Sequence, residues 1–257
     1  MAHVNYKNLE SGEKYYTVTV KPTMSAPKMH LETYTALDVL FDWTPFPLPR
    51  GANRLLGTTA LVRGADGAAQ QINFDLYFAK STPAGTAPTS IGTEHATANG
   101  VGYFNELIGT QQILVADYSH GLDFMSVATA QTVGGSGGGQ SPIMMPSHKS
   151  GQPYQFYVAG IDITGGDFHS DCALNEGDGH AAGASRALTL SGTAAGAMFA
   201  KGDVIGAHDG AAIGTIATVE SNTAITLETN NTDALANGDL IYNLNPITLI
   251  FSFERGN

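Results

Sequence analysis

Cysteine, charged residues and long apolar runs are all scarce in this sequence. Cys172 is the only cysteine among 257 residues, so no disulfide can form within the chain and a Cys-x-x-Cys metal knuckle is excluded. No apolar run approaches the roughly 20 residues that a membrane-spanning helix needs. The first ten residues, MAHVNYKNLE, lack the basic and apolar parts of a signal sequence. These absences predict a soluble protein that is made in a cytoplasm and has no membrane partner.

Charged residues make up only 14% of the chain, and most of them are acidic. The sequence has 23 Asp and Glu against 12 Lys and Arg, a formal charge of −11. Such a charge repels a phosphate backbone, which argues against a nucleic-acid partner. Glycine is abundant, with 31 residues, and threonine, alanine and asparagine are frequent. This mixture favours short strands and many turns over helices, and it predicts an all-β protein.

The segment from residue 54 to residue 80 shows the clearest pattern. In its second half, apolar and polar residues alternate with the period of two that a strand with one buried face requires. The buried face is predicted to carry Ile72, Phe74, Leu76 and Phe78. Glycine and aspartate within 63–67 tolerate the backbone angles of a turn. The segment therefore predicts a β-hairpin, which a second sheet must cover.

Two further segments alternate in the same way, at 33–43 and at 246–255. Their buried faces are predicted to carry Leu37, Val39, Phe41 and Trp43 in the first segment and Ile247, Leu249, Phe251 and Phe253 in the second. Shorter strands are predicted at 113–118, 124–127 and 154–163. In the last of these, Gly160 is interpreted as a bulge that shifts the parity of the strand.

Three segments have the composition of loops. The alternating prolines of 45–49 predict a rigid extended corner, which is favoured over a proline-rich ligand for a partner. Residues 81–100 are rich in Pro, Gly, Ser and Thr, and they predict a long loop that is a candidate contact surface. The glycine run at 134–139 lacks the Gly-Lys-Ser/Thr of a phosphate-binding loop and predicts a linker or loop tip.

A second unit is predicted to begin near Arg186, because one motif occurs twice after this point. AKGDVI at 200–205 and ANGDLI at 236–241 lie 36 residues apart and share the pattern Ala-x-Gly-Asp-aliphatic-Ile. Each Gly-Asp predicts a turn that leads into a strand. With the short strands between them, these residues predict a small β-barrel or sandwich of about five strands.

The closing strand resembles the first strands and not the small unit, so we predict that it returns to the larger sheet. The predicted organisation is an N-terminal arm at 1–30, a β-sandwich domain at 31–185 and 245–257, and a small inserted β module at 186–244. The arm contains Tyr15, Tyr16 and Val18, which are apolar for a solvated tail. A frayed terminus and an arm that lies on a neighbouring subunit are both open alternatives.

The only stretch rich in potential ligands lies between residues 167 and 180. It contains Asp167, His169, Asp171, Cys172, Glu176, Asp178 and His180. A metal bound by His169, Asp171 and His180, or Ca²⁺ bound by carboxylates, is one interpretation. The spacing matches neither the tetrahedral Cys/His sites nor a calcium-binding loop. A solvated loop rich in Gly and Asp is therefore favoured.

No pattern in the sequence marks a catalytic site. There is no Gly-x-Ser-x-Gly turn, and an activated Cys172 beside His169 is disfavoured because eight histidines scattered through loops make a chance pairing common. Paired carboxylates for glycoside hydrolysis depend on the fold and leave no mark in the sequence. We expect no catalytic, cofactor-binding or metal-binding residues and no cofactor.

Four aromatic residues are candidates for a sugar-binding platform. They are Trp43, Tyr103, Phe104 and Tyr118. Because Trp43 lies in a predicted alternating strand, its burial in the core is favoured over exposure on such a platform.

Several stretches share their overall residue pattern with one class of proteins. They are LFDWTPFPLPRGANRLLGTTALVRGADGAAQQINFDLYFAKS at 40–81, the module motifs AKGDVIG and ANGDLIYN, and the closing NPITLIFSFE. Together they resemble virion structural proteins of tailed bacteriophages, above all the capsid decoration or cement proteins. The resemblance covers roughly residues 31–80 and 186–255 and lies in texture and arrangement, not in one diagnostic motif.

This resemblance implies a jelly-roll-like β-sandwich on the capsid exterior, often a homotrimer that clamps neighbouring major capsid proteins. The first hypothesis is therefore a non-enzymatic virion protein, synthesised in the host cytoplasm, whose partners are the major capsid protein and its own copies. Substitution of His169, Cys172 or His180 is then expected to leave capsid binding intact. The alternative is a carbohydrate- or receptor-binding tail or fibre protein, and an enzyme acting on polysaccharide ranks below both.

Deletion of residues 246–257 is expected to unfold the larger domain. The strand predicted at 246–255 belongs to its sheet, so its removal exposes the apolar faces against which it packs. Thermal unfolding followed by circular dichroism, with the full chain as the control, measures this effect. A truncated protein that unfolds at the same temperature as the full chain would show that the tail lies outside the fold.

Overall fold

The computed structural model describes residues 14–31, 33–49, 51–64, 69–99, 105–122, 125–131, 143–145, 155–191, 195–209 and 212–256. The strands in these residues are β1 (Tyr15–Val20), β2 (Val39–Phe46), β3 (Asn53–Arg63), β4 (Phe74–Lys80), β5 (Leu107–Ile113), β6 (Tyr118–Leu122), β7 (Met125–Gln131), β8 (Ile143–Met145), β9 (Phe156–Asp162), β10 (Ala173–Leu174), β11 (Ala187–Ser191), β12 (Val204–Ala207), β13 (Ala212–Ser221), β14 (Ala224–Leu227), β15 (Ile241–Asn243) and β16 (Ile247–Arg255). The helices are α1 (Ala26–Met29), a 3-10 turn at Val115–Asp117, and α2 (Ala195–Met198). No helix among the described residues is long and apolar enough to cross a membrane.

Two antiparallel sheets form a β-sandwich. The first has the order β1-β16-β3-β7-β6, with β8 paired to the start of β3, and the second has the order β2-β9-β4-β5. Along the chain, β1, β3, β7 and β16 belong to the first sheet and β2, β4, β5 and β9 to the second, which is the winding of a jelly roll. The predicted all-β, jelly-roll-like sandwich with a small inserted module is confirmed.

The predicted hairpin at 54–80 is wrong. β3 pairs with β16 and β7 in the first sheet, whereas β4 pairs with β9 and β5 in the second. The chain passes from one sheet to the other between the two strands, so their apolar faces pack against each other across the sandwich. The predicted buried face is confirmed, because Ile72, Phe74, Leu76 and Phe78 are all buried.

The C-terminal strand returns to the sandwich. β16 lies between β1 and β3 in the first sheet, and its predicted inward residues are fully buried. The described part of the predicted arm belongs to the fold as well: β1 is an edge strand whose Tyr16, Val18 and Val20 face the core. Their burial explains why this segment is apolar. Residues 1–13 lie outside the described residues.

Gly160 does not form the predicted bulge. β9 pairs with β4 without a register shift, and the irregularities lie on β2. Val158 packs in the main core, whereas Ile161 lies on the outer face of the sheet. A Cβ at position 160 would lie only 2.4 Å from the ring of Phe41. Glycine is therefore needed here because the ring of Phe41 occupies the space of a side chain.

Two other predictions concern the middle of the chain. The strand predicted at 113–118 is wrong in part, because β5 ends at Ile113 and a 3-10 turn follows. The carboxylate of Asp117 accepts the N–H of Leu114 at 2.8 Å, which turns the chain there. The glycine run at 134–139 lies outside the described residues.

The inserted module is a small barrel. Its six-stranded sheet has the order β10-β11-β14-β13-β12-β15, and a bridge between Ala173 and Leu240 brings the two edges together so that the barrel is nearly closed. The sheet begins at Ala173, earlier than the predicted boundary at 186. The early start has a structural reason, because β10 is the strand that joins the two edges.

The two copies of the repeated motif form the same turn. The carboxylate of Asp203 accepts the N–H of Ala200 at 2.9 Å, and the carboxylate of Asp239 accepts the N–H of Ala236 at 2.7 Å. The glycine before each aspartate has a positive φ, +83° at Gly202 and +91° at Gly238. Each Gly-Asp thus makes a turn into a strand, as the repeat predicts.

One of these aspartates also joins the module to the sandwich. The side chain of Asp203 is 1% exposed; Lys21 Nζ donates to it at 2.8 Å, and Arg63 Nε lies 3.7 Å from it. Asn243 Nδ2 donates to the same carboxylate at 3.0 Å. A buried carboxylate needs such partners to compensate for its lost hydration. The junction is therefore held in one arrangement.

The close approach of Phe41 to Gly160 predicts the effect of a single methyl group. Gly160→Ala is expected to lower the free energy of unfolding by about 1–3 kcal/mol, because the ring must move. Gly177→Ala is the control, since nothing lies within 4 Å of a Cβ at that position. Combining Gly160→Ala with Phe41→Leu should recover much of the loss in a double-mutant cycle of denaturant unfolding. A Gly160→Ala protein as stable as the parent would contradict the packing.

Candidate functional site

The module emerges from one end of the sandwich, where several strands begin or end. Val39 pairs with Ile161 and Phe74 pairs with Asp162, so β2 and β4 begin where β9 ends. β16 begins at Ile247 at the same end, where it pairs with the last residues of β3. After β3 the chain continues into β4. The module lies between β9 and β16 in the chain. We call the end of the sandwich with these five residues the module end.

The loop predicted as a contact surface forms a fixed outer layer on the second sheet. Its Ile91 is fully buried against Val39 and Ile161. Trp43 packs against the same cluster, and its Nε1 donates to the carbonyl of Thr89 at 2.8 Å. Trp43 is therefore partly buried beneath the loop, outside the main core. The described loop residues, 81–99, give β9 a cover on its outer face.

Glu94 in this loop ties three elements together at the module end. Its two carboxylate oxygens each accept the N–H of Ser25 at 2.9 Å, and one accepts the hydroxyl of Tyr34 at 2.8 Å. Burial raises the pKa of Glu94 to about 7, although the hydrogen bonds from Ser25 and Tyr34 oppose the shift. The loop, the start of α1 and Tyr34 thus meet at one carboxyl group that titrates near neutrality.

Two buried carboxylates fix the adjacent turn. Asp38 Oδ2 accepts both the N–H and the hydroxyl of Thr35, at 2.8 and 2.9 Å. Asp162 Oδ2 accepts the N–H of Gly165 at 2.5 Å, and burial raises the pKa of Asp162. The carbonyl of Asp162 accepts the N–H of Leu37 at 2.8 Å. The backbone of residues 35–38 is therefore held from within the sandwich.

Leu37 is exposed and has a left-handed backbone. It was predicted on a buried face, but β2 begins only at Val39, and Leu37 is 60% exposed with φ +75°. Leu31, which follows α1, is 54% exposed. Among the described residues, Leu37 and His95 are the non-glycine residues with positive φ. Both lie at the module end, and strained backbone of this kind clusters at functional sites.

His95, the other residue with a positive φ, connects the loop 81–99 to the start of β2 and to Tyr34. Its N–H donates to the carbonyl of Val39 at 2.9 Å, and its ring centroid lies 4.5 Å from that of Tyr34. The N–H of Ala98 donates to the carbonyl of Leu37 at 2.8 Å. Leu37 is thus held on a rigid surface built from distant parts of the chain. We call Leu37, Glu94 and His95 the leucine surface.

The residues weighed as metal ligands do not come together. The His169 ring stacks at 5.3 Å on that of His30, whose Nδ1 lies 2.7 Å from the hydroxyl of Tyr242. Asp171 is exposed, and His180 Nε2 lies 3.6 Å from Glu176 within the module. Across the described ranges, no three His, Cys, Asp or Glu side chains are placed to hold a metal ion.

The other chemical candidates have structural surroundings. Cys172 is fully buried in the core of the barrel, away from solvent. The Tyr118 hydroxyl donates to the carbonyl of Ile72 at 3.0 Å, and burial raises its pKa. Tyr103 and Phe104 lie outside the described residues. Comparison of the chain with protein-family models, curated proteins and solved structures finds no match.

Glu94 makes the stability of the protein depend on pH in a defined window. The pKa of Glu94 is about 7 in the folded state, whereas the ordinary value is 4.5. The folded state therefore binds the proton of this carboxyl group more tightly than the unfolded state does. The contribution of Glu94 to stability is therefore full below pH 4.5 and falls as the pH rises to about 7, by at most ~3 kcal/mol.

Glu94→Gln is expected to remove this slope. Denaturant unfolding between about pH 4.5 and 7 measures it, and Glu228→Gln, at an exposed carboxylate, serves as the control. An unchanged slope in Glu94→Gln would show that the carboxyl group titrates normally in the folded protein.

Proposed function

We propose that this protein is a non-enzymatic virion structural protein that binds the outer surface of a phage capsid. It stabilises the shell by clamping neighbouring major capsid proteins, after synthesis in the host cytoplasm. The resemblance of residues 31–80 and 186–255 to capsid decoration proteins supports this class, and the jelly roll is a fold that viral capsid and lectin domains use. Fold analogy does not identify a partner, so the proposal needs support from a site.

Leu37 is the observation that carries the proposal. A non-glycine residue in the left-handed region costs about 1–2 kcal/mol, and an exposed leucine contributes nothing to the core that offsets this. Asparagine or glycine would suit the backbone better. The turn nevertheless presents a large apolar side chain to solvent on a support held by Asp38 and Asp162. A preorganised apolar anchor of this kind suits burial by a protein partner.

Many copies on a symmetric shell explain how such a small anchor suffices. Leu31 and Leu37 are the exposed leucines among the residues that the structure describes, and an apolar contact of this size gives weak binding by itself. Contacts between copies, as in the homotrimer that the resemblance implies, convert several weak contacts into tight attachment. The proposed partners are accordingly the major capsid protein and other copies of this chain.

The variant Leu37→Asn tests the role of Leu37 in shell binding without disturbing the fold. Asparagine tolerates the left-handed backbone, so the variant is expected to unfold at the same temperature as the parent or higher. Loss of the apolar side chain is expected to weaken binding to undecorated shells roughly tenfold. Thermal unfolding and co-sedimentation with shells measure the two effects, and light scattering gives the oligomeric state.

His180→Ala is the matched control, because the contacts of this residue are to Leu235 and Glu176 within the module; it should bind shells like the parent. Shell binding that survives Leu37→Asn but is lost in His180→Ala would locate the contact in the module instead. A protein that ignores shells, with Trp43 fluorescence quenched by glycans, would overturn the proposal in favour of the carbohydrate-binding alternative.

A further inference from the structure

The charges of the chain are separated between two regions. Residues 170–244 contain nine acidic and two basic residues, a formal charge of −7 out of −11 for the whole chain. Many of these carboxylates face solvent. The exposed ones are Asp171, Asp178, Asp209, Glu220 and Glu228. The module is therefore an acidic surface at one end of the sandwich.

A basic cleft of about 270 Å³ lies among the opposite ends of the strands. Lys14, Arg54 and Arg255 line it together with Glu254. Lys14 Nζ lies 2.9 Å from one oxygen of Glu254 and Arg54 Nη1 lies 3.7 Å from the other. Two cations thus pair with one carboxylate, and Arg255 lines the cleft beside them, so the cleft keeps an excess positive charge. We call these four residues the basic cleft.

Within one copy, the module and the basic cleft are too far apart to neutralise each other. β16 begins at Ile247 beside the module and ends at Arg255 in the cleft. Nine residues of extended strand span roughly 25–30 Å. The screening length is about 8 Å at physiological ionic strength. The two opposite charges therefore attract effectively only when they belong to different copies.

We propose that the basic cleft of one copy binds the acidic module of a second copy, head to tail. Contacts of this kind use two different surfaces on each copy, so they build rings or open chains and not two-fold dimers. Charge complementarity selects the partner, because the module has a formal charge of −7 and the cleft is lined by three cations and one carboxylate. The proposal concerns contacts between copies, so it is testable without capsid shells.

Arg255→Glu is the first test. Sedimentation velocity of the parent should show association that weakens as salt rises from about 50 to 500 mM, because exposed charges are screened. Arg255→Glu is expected to weaken association tenfold or more at low salt, since it places a like charge opposite the module. Lys201→Glu is the control: it makes the same charge change at an exposed site on the module and should not weaken association. Lys14→Glu repeats the test if Arg255→Glu fails to fold.

Mixing two variants gives the decisive result. Glu220→Lys with Glu228→Lys lowers the charge of the module to −3 and leaves the cleft intact, whereas Arg255→Glu leaves the module intact. Each protein alone should remain monomeric at low salt. A mixture should form one-to-one pairs, because only one contact, from the acidic module of one to the basic cleft of the other, is available.

Three outcomes overturn the proposal. They are a parent that is monomeric at every salt concentration, an Arg255→Glu protein that associates like the parent, and a mixture without pairs although both variants have the circular dichroism of the parent. Binding of inorganic phosphate to the cleft of a monomeric parent would identify a small-anion site instead. Self-association without shell binding would overturn the capsid proposal and leave this one standing.

Discussion

The pairing of β16 with both β1 and β3 is the constraint on which the sandwich depends. β1 reaches the sheet through β16, and β16 also faces the opposite sheet with Phe251 and Phe253. The ring of Phe251 lies 5.3 Å from those of Phe46 and Phe78, so the last strand joins both layers of the core. Aromatic pairs of this kind contribute roughly 0.5–1.5 kcal/mol each beyond the area that they bury. The first strand, the third strand and the second sheet are all held by the final residues of the chain.

The alternation of apolar residues predicted which faces are buried much better than it predicted which strands are neighbours. Phe74 and Phe251 lie in the core as their patterns require. The pattern is the same whether two successive strands pair in one sheet or face each other across two, so it predicts a hairpin where β3 and β4 lie in different sheets. Gly160 shows a similar limit, because its need for glycine comes from the ring of Phe41, which is distant in sequence.

The candidate site was only partly visible in the sequence. The composition of residues 81–100 indicated a loop of functional interest, and the described part of that loop contains Glu94. Leu37 was placed on a buried face, since its left-handed backbone depends on hydrogen bonds to Asp162 and Ala98 that no local pattern records. The net charge of the chain is likewise evident from the sequence. The positions of the acidic module and the basic cleft are not, because only the fold places residues 14, 54 and 255 side by side.

The insertion of the barrel between β9 and β16 has a consequence for the order of folding. The segment 163–246 separates these two strands, and a disordered chain of that length makes their meeting entropically costly. The barrel forms from contacts within its own sequence, and the N–H of Ile241 donates to the carbonyl of Cys172, so its two ends lie side by side. Once the barrel has folded, only short connections remain between β9 and β16. The free-energy cost of bringing the two strands together then falls by roughly 1.5 kcal/mol. A folded barrel thus shortens the disordered chain between β9 and β16, which favours the docking of β16 into its sheet.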